Sequence, residues 1–407
     1  MTSNLKNVPP NWQKVRFDEI AQIVTDRIEK PVESGLSDYI GLEHLDTDCI
    51  RIKRFGSTED VDATKFLCKK GDIIFGKRRA YLRKLAVSDR EAVVSAHSMV
   101  LRPTGDKIYP DFLPCFMQSS IFWKTAHSIS EGSMSPTIKW KTLAAQEFWL
   151  PSIEEQKKIS ELLWSIEDNI QKTEKLIETI EILKQGLLNE LLTKGIGHTR
   201  FKDSELGRIP EEWEVKKIKD FCDVKTGTTP STENQAYWNG NIRWMSSGEI
   251  NKKFIYDTEK KITEEAVQNS NLKTHPTNSV MIALNGQGKT RGSVAIIKVP
   301  TTCNQSLACL IPDEHLADYL YIYYNLQNRY LEIRNYTGNN GREGLNLTIV
   351  KNIKIALPPL EEQNRIRNIF NLLDNSIQRN YENIAKLSSI RKKLSNKLIL
   401  GDLITEL

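Results

Sequence analysis

The chain lacks the cysteine spacing of a metal knuckle or a disulfide framework. Its six cysteines (Cys49, Cys68, Cys115, Cys222, Cys303, Cys309) form no CxxC pair, and its six histidines stand singly. These thiols are expected to pack in the interior of a protein kept reduced, with no metal and no cofactor. Long apolar runs are missing as well: none approaches the roughly 18 residues of a membrane span, and no signal peptide opens the chain. A cytoplasmic protein without a membrane partner is expected. Nor does charge of one sign dominate, since 27% of residues are charged and the net charge is only +5. That excludes the polycationic tail of a nonspecific nucleic-acid binder but permits a nucleic-acid partner. Finally, residues 154–193 and 361–400 contain no proline, and only Gly186 among the glycines.

What the chain does have is the same text twice. LPSIEEQKKISELLWSIEDNIQ from Leu150 returns as LPPLEEQNRIRNIFNLLDNSIQ from Leu357, an offset of 207 residues. The offset holds far from this stretch, where Gly71 to Phe75 face Asn278 to Ile282 and Asp111 to Leu113 face Asp318 to Leu320. Near the starts it is 201, with Pro9 and Trp12 facing Pro210 and Trp213. Self-similarity at a fixed period sets the architecture. A length of 407 residues is too long for one ordinary core but suits two. An α+β fold with a pseudo-two-fold internal repeat follows.

The proline-free stretches carry heptads. In the first, a positions are Ile159, Ile166, Thr173, Ile180 and Leu187, and d positions are Leu163, Ile170, Ile177, Lys184 and Leu191. In the second, Ile366, Leu373, Asn380, Leu387 and Leu394 alternate with Phe370, Ile377, Ile384, Arg391 and Leu398. Polar exceptions coincide, Thr173 with Asn380 and Lys184 with Arg391, and read as register markers of an antiparallel coiled-coil pair. The alternative, that each helix lies on its own domain, is disfavoured because a strict a/d seam is narrower than the stripe that covers a globular core. The segments before the helices mix short β-rich runs, turn clusters and short helices. The expected organisation is a globular domain at 1–150, a helix and linker at 151–200, a second domain at 201–356 and a second helix at 357–407.

The alternation of a globular domain, a P-x-x-E-E-Q helix entry (Pro151, Glu154, Glu155, Gln156; Pro358, Glu361, Glu362, Gln363) and a long helix resembles the specificity subunit of type I restriction-modification enzymes. The linker GIGHTRFKDSELGRIPEEW, from Gly195 to Trp213, supports the resemblance. One departure is that SPTIKW (from Ser135) stands near LNLTIV (from Leu345) with a different spacing to the following LP. The resemblance implies two target recognition domains, each reading half of a split sequence in double-stranded DNA. It implies that the helices form the spacer and dock two methyltransferase subunits through Ile159, Leu163, Ile166, Ile170, Ile177, Ile366, Phe370, Leu373, Ile377 and Ile384. It also implies an ATP-dependent translocating nuclease as restriction subunit, and no catalytic residue in this chain.

The loop chemistry agrees with DNA reading. After Ile73-Ile74-Phe75 comes GKRRAYLRK, with Lys77, Arg78, Arg79, Arg83 and Lys84 around Tyr81. The other copy has NGQGKTRG, with Asn285, Gln287, Lys289 and Arg291, and a further loop TGNNGREG supplies Asn339, Asn340 and Arg342. Arginine and lysine neutralise phosphates and pair with guanine, and amides pair with adenine. Solvated hairpin tips are the bland alternative. His97, facing Ser306, is expected to be a satisfied core histidine. ALNGQGKT, from Ala283, misses a phosphate-binding loop because alanine replaces its first glycine and a β-like run replaces the following helix. Glu214-Val215-Lys216 lacks the paired acid of a nuclease. The remaining alternative is a structural adaptor whose paired domains bind protein rather than DNA.

Overall fold

The computed structural model describes residues 9–286, 288–336 and 344–400. By contact the chain divides between Lys175 and Leu176 and again between Asn380 and Tyr381. The first unit therefore joins the N-terminal part of the chain to the end of the second long helix, and the second unit is the continuous middle.

In the first unit, Gln13–Arg16 pairs antiparallel with Glu147–Leu150. A four-stranded sheet has the order Ala21–Val24, Ser98–Pro103, Ile73–Gly76, Leu85–Val87. Its strand Ile73–Gly76 is buried throughout, because both faces are covered. Ile73 and Phe75 point into an aromatic core with Phe112, Phe116 and Phe122. Ile74 points the other way, to Ile40 and Val94 of a second, five-stranded sheet. The two-residue period of a strand divides one apolar run between two cores.

The second unit repeats the plan. Glu214–Lys217 pairs with Lys354–Leu357. The main sheet runs Cys222–Thr226, Leu307–Pro312, Val280–Ala283, Val294–Ile297, Phe254–Ile255. Val280 and Ile282 enter one core and Met281 and Ala283 another. The repeat also resolves the mismatch of SPTIKW with LNLTIV. The Ile138 amide donates to the Lys77 carbonyl at 2.9 Å, and the Leu345 amide to the Leu284 carbonyl at 3.0 Å. Both partners shift by 207, so Ile138 matches Leu345, and the shared Thr-Ile letters do not mark equivalent positions.

The P-x-x-E-E-Q entry fastens each helix to its domain. Gln156 is fully buried; its Oε1 accepts from the Tyr109 amide at 2.8 Å, and its Nε2 donates to the carbonyls of Lys107 and Pro151 at 3.1 and 3.0 Å. Gln363 does the same with the Asp318 amide (2.9 Å) and the carbonyls of Leu316 (3.0 Å) and Pro358 (2.9 Å). A buried side-chain amide offers one acceptor and two donors, and each is used. Glutamate in the first turn suits the positive end of the helix dipole. Glu155 also closes a capping box, accepting from the Ser152 amide at 3.0 Å while Ser152 Oγ accepts from its own at 3.4 Å.

The first long helix is Ile153–Lys194 and the second Leu360–Leu400. The first ends at Gly195, whose φ is +68°, the left-handed stop expected after a helix C-terminus. A Cβ there would lie 2.5 Å from Glu362 Oε1, so glycine is required twice over. The helices pack antiparallel. Within the first unit Glu167 pairs with Arg391, and within the second Lys184 pairs with Asp374 at 2.7 Å. These are one contact occurring twice, since 184 and 391, like 167 and 374, differ by 207.

Lys184 and Arg391 thus mark register as expected, through acids on the facing helix. Thr173 does not: its hydroxyl donates to the Asn169 carbonyl of its own helix at 2.7 Å. The helix starts also serve their own domains. Ile159 and Leu163 join the core of Phe112 and Phe116, and Ile366 and Phe370 that of Tyr321 and Tyr324. The seam and the domain-covering stripe coexist on one helix, where the sequence reading set them as alternatives. Among the described residues no helix is long and apolar enough to cross a membrane. Of the cysteines, Cys49 alone is half-buried and the others are buried, and burial pushes the Cys68 thiol up to about 11.

Candidate nucleic-acid interface

Antiparallel register decides which loops meet. Gly76, the end of one central strand, pairs with Ser98, the start of its neighbour. The loop from Lys77 and the turn ending at His97 therefore leave the sheet side by side. A third segment joins them: the Arg79 amide donates to the Pro136 carbonyl at 2.7 Å, and Arg78 bridges Thr137. The loop between Glu131 and Thr137 is closed by backbone bonds of 3.0 and 2.8 Å and by Lys139 to Glu131 at 2.6 Å. Its tip, Met134, is 93% exposed. Between these segments lies a cleft of about 420 Å³ lined by Arg78, Arg79, His97, Ser95, Ser135 and Glu43, among others.

The six loop residues expected to bind DNA separate into two groups. Arg78 lines the cleft, and Arg79 and Tyr81 are exposed. Arg79 and Arg83 have φ of 55° and 50°, in the left-handed region that non-glycine residues seldom occupy. They bracket the short turn Ala80–Leu82. After that second reversal, Arg83 turns inward, with Nε 2.9 Å from Asp48 and its guanidinium 5.9 Å from the Trp123 ring centre. Lys84 Nζ donates to the Leu42 carbonyl at 2.5 Å. Lys77 is half-buried over Phe66, its ammonium pushed below the usual lysine range by burial and then by Arg27 and Arg78.

His97 departs from expectation. It is exposed, not in the core, and Arg78 Nη1 stands 3.2 Å from both of its ring nitrogens. Burial, then Arg78, Lys77 and Lys65, lower its pKa, against the opposing pull of Glu43. Its signal in the sequence was only its place one residue before a strand, and that becomes informative once the strand's partner is known.

In the second unit Ala283 pairs with Leu307, and the Leu284 amide donates to the Ser306 carbonyl at 2.8 Å. Asn285 and Lys289 are exposed, while Arg291 is half-buried. Tyr330 Oη donates to the Lys289 carbonyl at 3.2 Å, steadying the loop from below. The turn at the position of His97 presents Asn304 and Gln305, the latter accepting from Thr229 Oγ1 at 2.7 Å. Neither was expected from the sequence. Lys289 leads into a turn and the strand Val294–Ile297, so no helix N-terminus follows it. Gln287, Asn339, Asn340 and Arg342 lie outside the described residues.

The residues expected to dock a partner are placed by the same cores. Ile159, Leu163, Ile166, Ile170, Ile177, Ile366 and Phe370 are buried, and Leu373, Ile377 and Ile384 are half-buried. A heptad seam is covered by its own partner helix, which leaves these side chains little surface for another protein. Among the described residues, the large apolar side chains that the helices expose are Ile153, Leu162, Tyr381 and Ile390 in the first unit and Leu176, Ile182, Leu183 and Leu372 in the second.

The sequence that builds these two repeated domains and their helices matches a known family model twice. That model, the type I restriction modification DNA specificity domain, covers residues 9–182 and again 210–388. The chain belongs to this family and carries its domain twice. It is 25% identical over 417 residues to the putative type I restriction enzyme MjaX specificity subunit of Methanocaldococcus jannaschii, covering 98% of this chain and 95% of that one. The MjaIX specificity subunit of the same organism is 33% identical over 204 residues, a match spanning 49% of this chain and 46% of that subunit. The crystal structure of the type I restriction-modification S subunit from M. genitalium shares the fold, with TM-score 0.60 at 16% identity over 98% of each chain.

Proposed function

We propose that this chain is the DNA-reading, non-catalytic subunit of a type I restriction-modification complex. It reads an asymmetric two-part target in double-stranded DNA and directs two methyltransferase subunits and the restriction subunits to it. The observation that carries the reading is that two domains of one plan present different side chains at one end of equivalent sheets. Arg78, Arg79 and Tyr81 stand there in the first, and Asn285, Lys289, Asn304 and Gln305 in the second. Guanidinium groups suit guanine and phosphate, and amides suit adenine. Different chemistry on one frame suits two different half-sequences. Docking of the methyltransferase subunits falls to the exposed apolar side chains of the helices, Leu176, Ile182 and Leu183 among them.

Exchanging residues 1–150 for the corresponding domain of a relative is expected to change one half of the methylated sequence and leave the other half and the gap intact. Methylome sequencing of a host carrying the hybrid with its methyltransferase subunit reads this directly. If both halves change together, recognition is shared between the domains and the partition fails.

A further inference from the structure

We infer that His97 and Arg78 form one specificity-determining unit, in which His97 braces the Arg78 guanidinium to read a guanine in the half-sequence of the first domain. This rests on the proposed DNA-reading function and adds residues and a base to it. The geometry is the starting point. Arg78 Nη1 lies 3.2 Å from Nδ1 and 3.2 Å from Nε2 of the same ring. The in-plane bonding directions of these two nitrogens diverge widely, so an atom equidistant from both lies along neither. The guanidinium therefore leans on the ring and is not bonded to its edge, a contact familiar for arginine on flat conjugated groups. Leaning leaves the donors of the guanidinium fork and both ring nitrogens available to a ligand. A neutral imidazole makes the contact without repulsion, and partial burial, then the cations Arg78, Lys77 and Lys65, favour that form against Glu43.

The surroundings hold this pair in place. The Arg78 backbone is clamped between Gly76, paired with Ser98, and Thr137. The His97 amide donates to Ser95 Oγ at 3.2 Å. Among the described residues no carboxylate forms an ion pair with Arg78, in contrast to Arg83 on Asp48 and Arg90 on Asp38 and Asp89. A guanidinium braced by a ring, unneutralised and facing a cleft, is prepared for the bidentate O6 and N7 edge of guanine. In the second domain serine stands at the position of His97 and leucine at that of Lys77, so the device belongs to the first half-sequence alone.

The test uses the full chain with its methyltransferase subunits, methylome sequencing, and binding to duplexes changed at single positions. His97→Ala, Arg78→Ala and Arg78→Lys are each expected to relax the same single G·C position in one half of the motif. The preference at that position should fall by about ten- to a hundredfold, while the other half keeps its sequence. Arg78→Lys keeps the charge, so its salt slope should match the wild type. His97→Gln, which retains a planar polar group, should restore part of the preference. An unchanged melting temperature confirms that the substitutions leave the fold intact. The inference is overturned if His97→Ala leaves the motif unchanged, or if all variants weaken binding equally on every sequence, the mark of a phosphate contact. If the wild-type complex methylates no two-part motif at all, the DNA-reading function itself has failed.

Discussion

Alanine at Asp374 is expected to lower the stability of the unit containing it by about 2–3 kcal/mol, because it strands two half-buried ammonium groups around one lost carboxylate. Asp374 accepts from Lys184 at 2.7 Å, from Tyr324 Oη at 2.7 Å and from Lys253. Lys253 and Tyr324 belong to the globular domain and Lys184 to the facing helix, so one side chain ties three elements. Burial would raise the Asp374 carboxyl, but the bonds from Lys184, Lys253 and Tyr324 outweigh it and hold it below the usual aspartate range. Lys253 is also moved down, there because burial outweighs Asp374. The carboxylate therefore gains from the cluster more clearly than this ammonium does. Since the folded carboxyl has the lower pKa, its contribution is present above the ordinary value of about 3.9 and is lost as pH falls through the folded value. Urea denaturation should show the wild type losing its advantage over Asp374→Ala in that acid window. A difference under about 1 kcal/mol at neutral pH would mean that the cluster contributes no more than a surface pair.

Seven residues inserted after Lys175 and seven more after Glu382 are expected to leave both half-sequences intact and widen the gap between them by one to three base pairs. Counting eight residues on from Glu167 gives Lys175, and eight back from its partner Arg391 gives Asn383. The two insertions are therefore level on facing helices, and both heptad frames are preserved. Seven residues add about 10.5 Å along the axis, equivalent to roughly 3 base pairs at about 3.4 Å each and fewer if the helices lie oblique to the DNA. An insertion in only one helix puts Glu167 with Arg391 and Lys184 with Asp374 in conflicting registers and should cost stability or partner docking. Methylome sequencing gives the gap directly. An active complex with two insertions and an unaltered gap would show that the helices do not set the spacing.

Much of this was legible in the chain because it is written in periods. The 207-residue offset, the heptads and the P-x-x-E-E-Q entries each recur, and recurrence survives without knowledge of any contact. The lysine and arginine interrupting the two seams were also visible, and the acids they reach are their neighbours across the pair. Thr173 was misjudged because a threonine hydroxyl in a helix can return to the carbonyl four residues back, and only coordinates tell that bond from a cross-helix one.

The sequence by itself determined that there are two copies of one α+β plan, that each feeds a long helix, and that the two loop sets differ in chemistry. Periodicity of 2 and 3.6 is a property of the local chain, and apolar burial follows it wherever a core exists. Tertiary structure alone decided which loop residues face outward. Lys77, Arg78, Arg79, Arg83 and Lys84 are nearly equivalent as letters, yet two left-handed turns send Arg79 to solvent and Arg83 to Asp48. His97 came to Arg78 through the pairing of Gly76 with Ser98, a contact between residues 22 positions apart in the chain. Strand register is fixed by the sum of both cores and not by any residue in the loops it brings together.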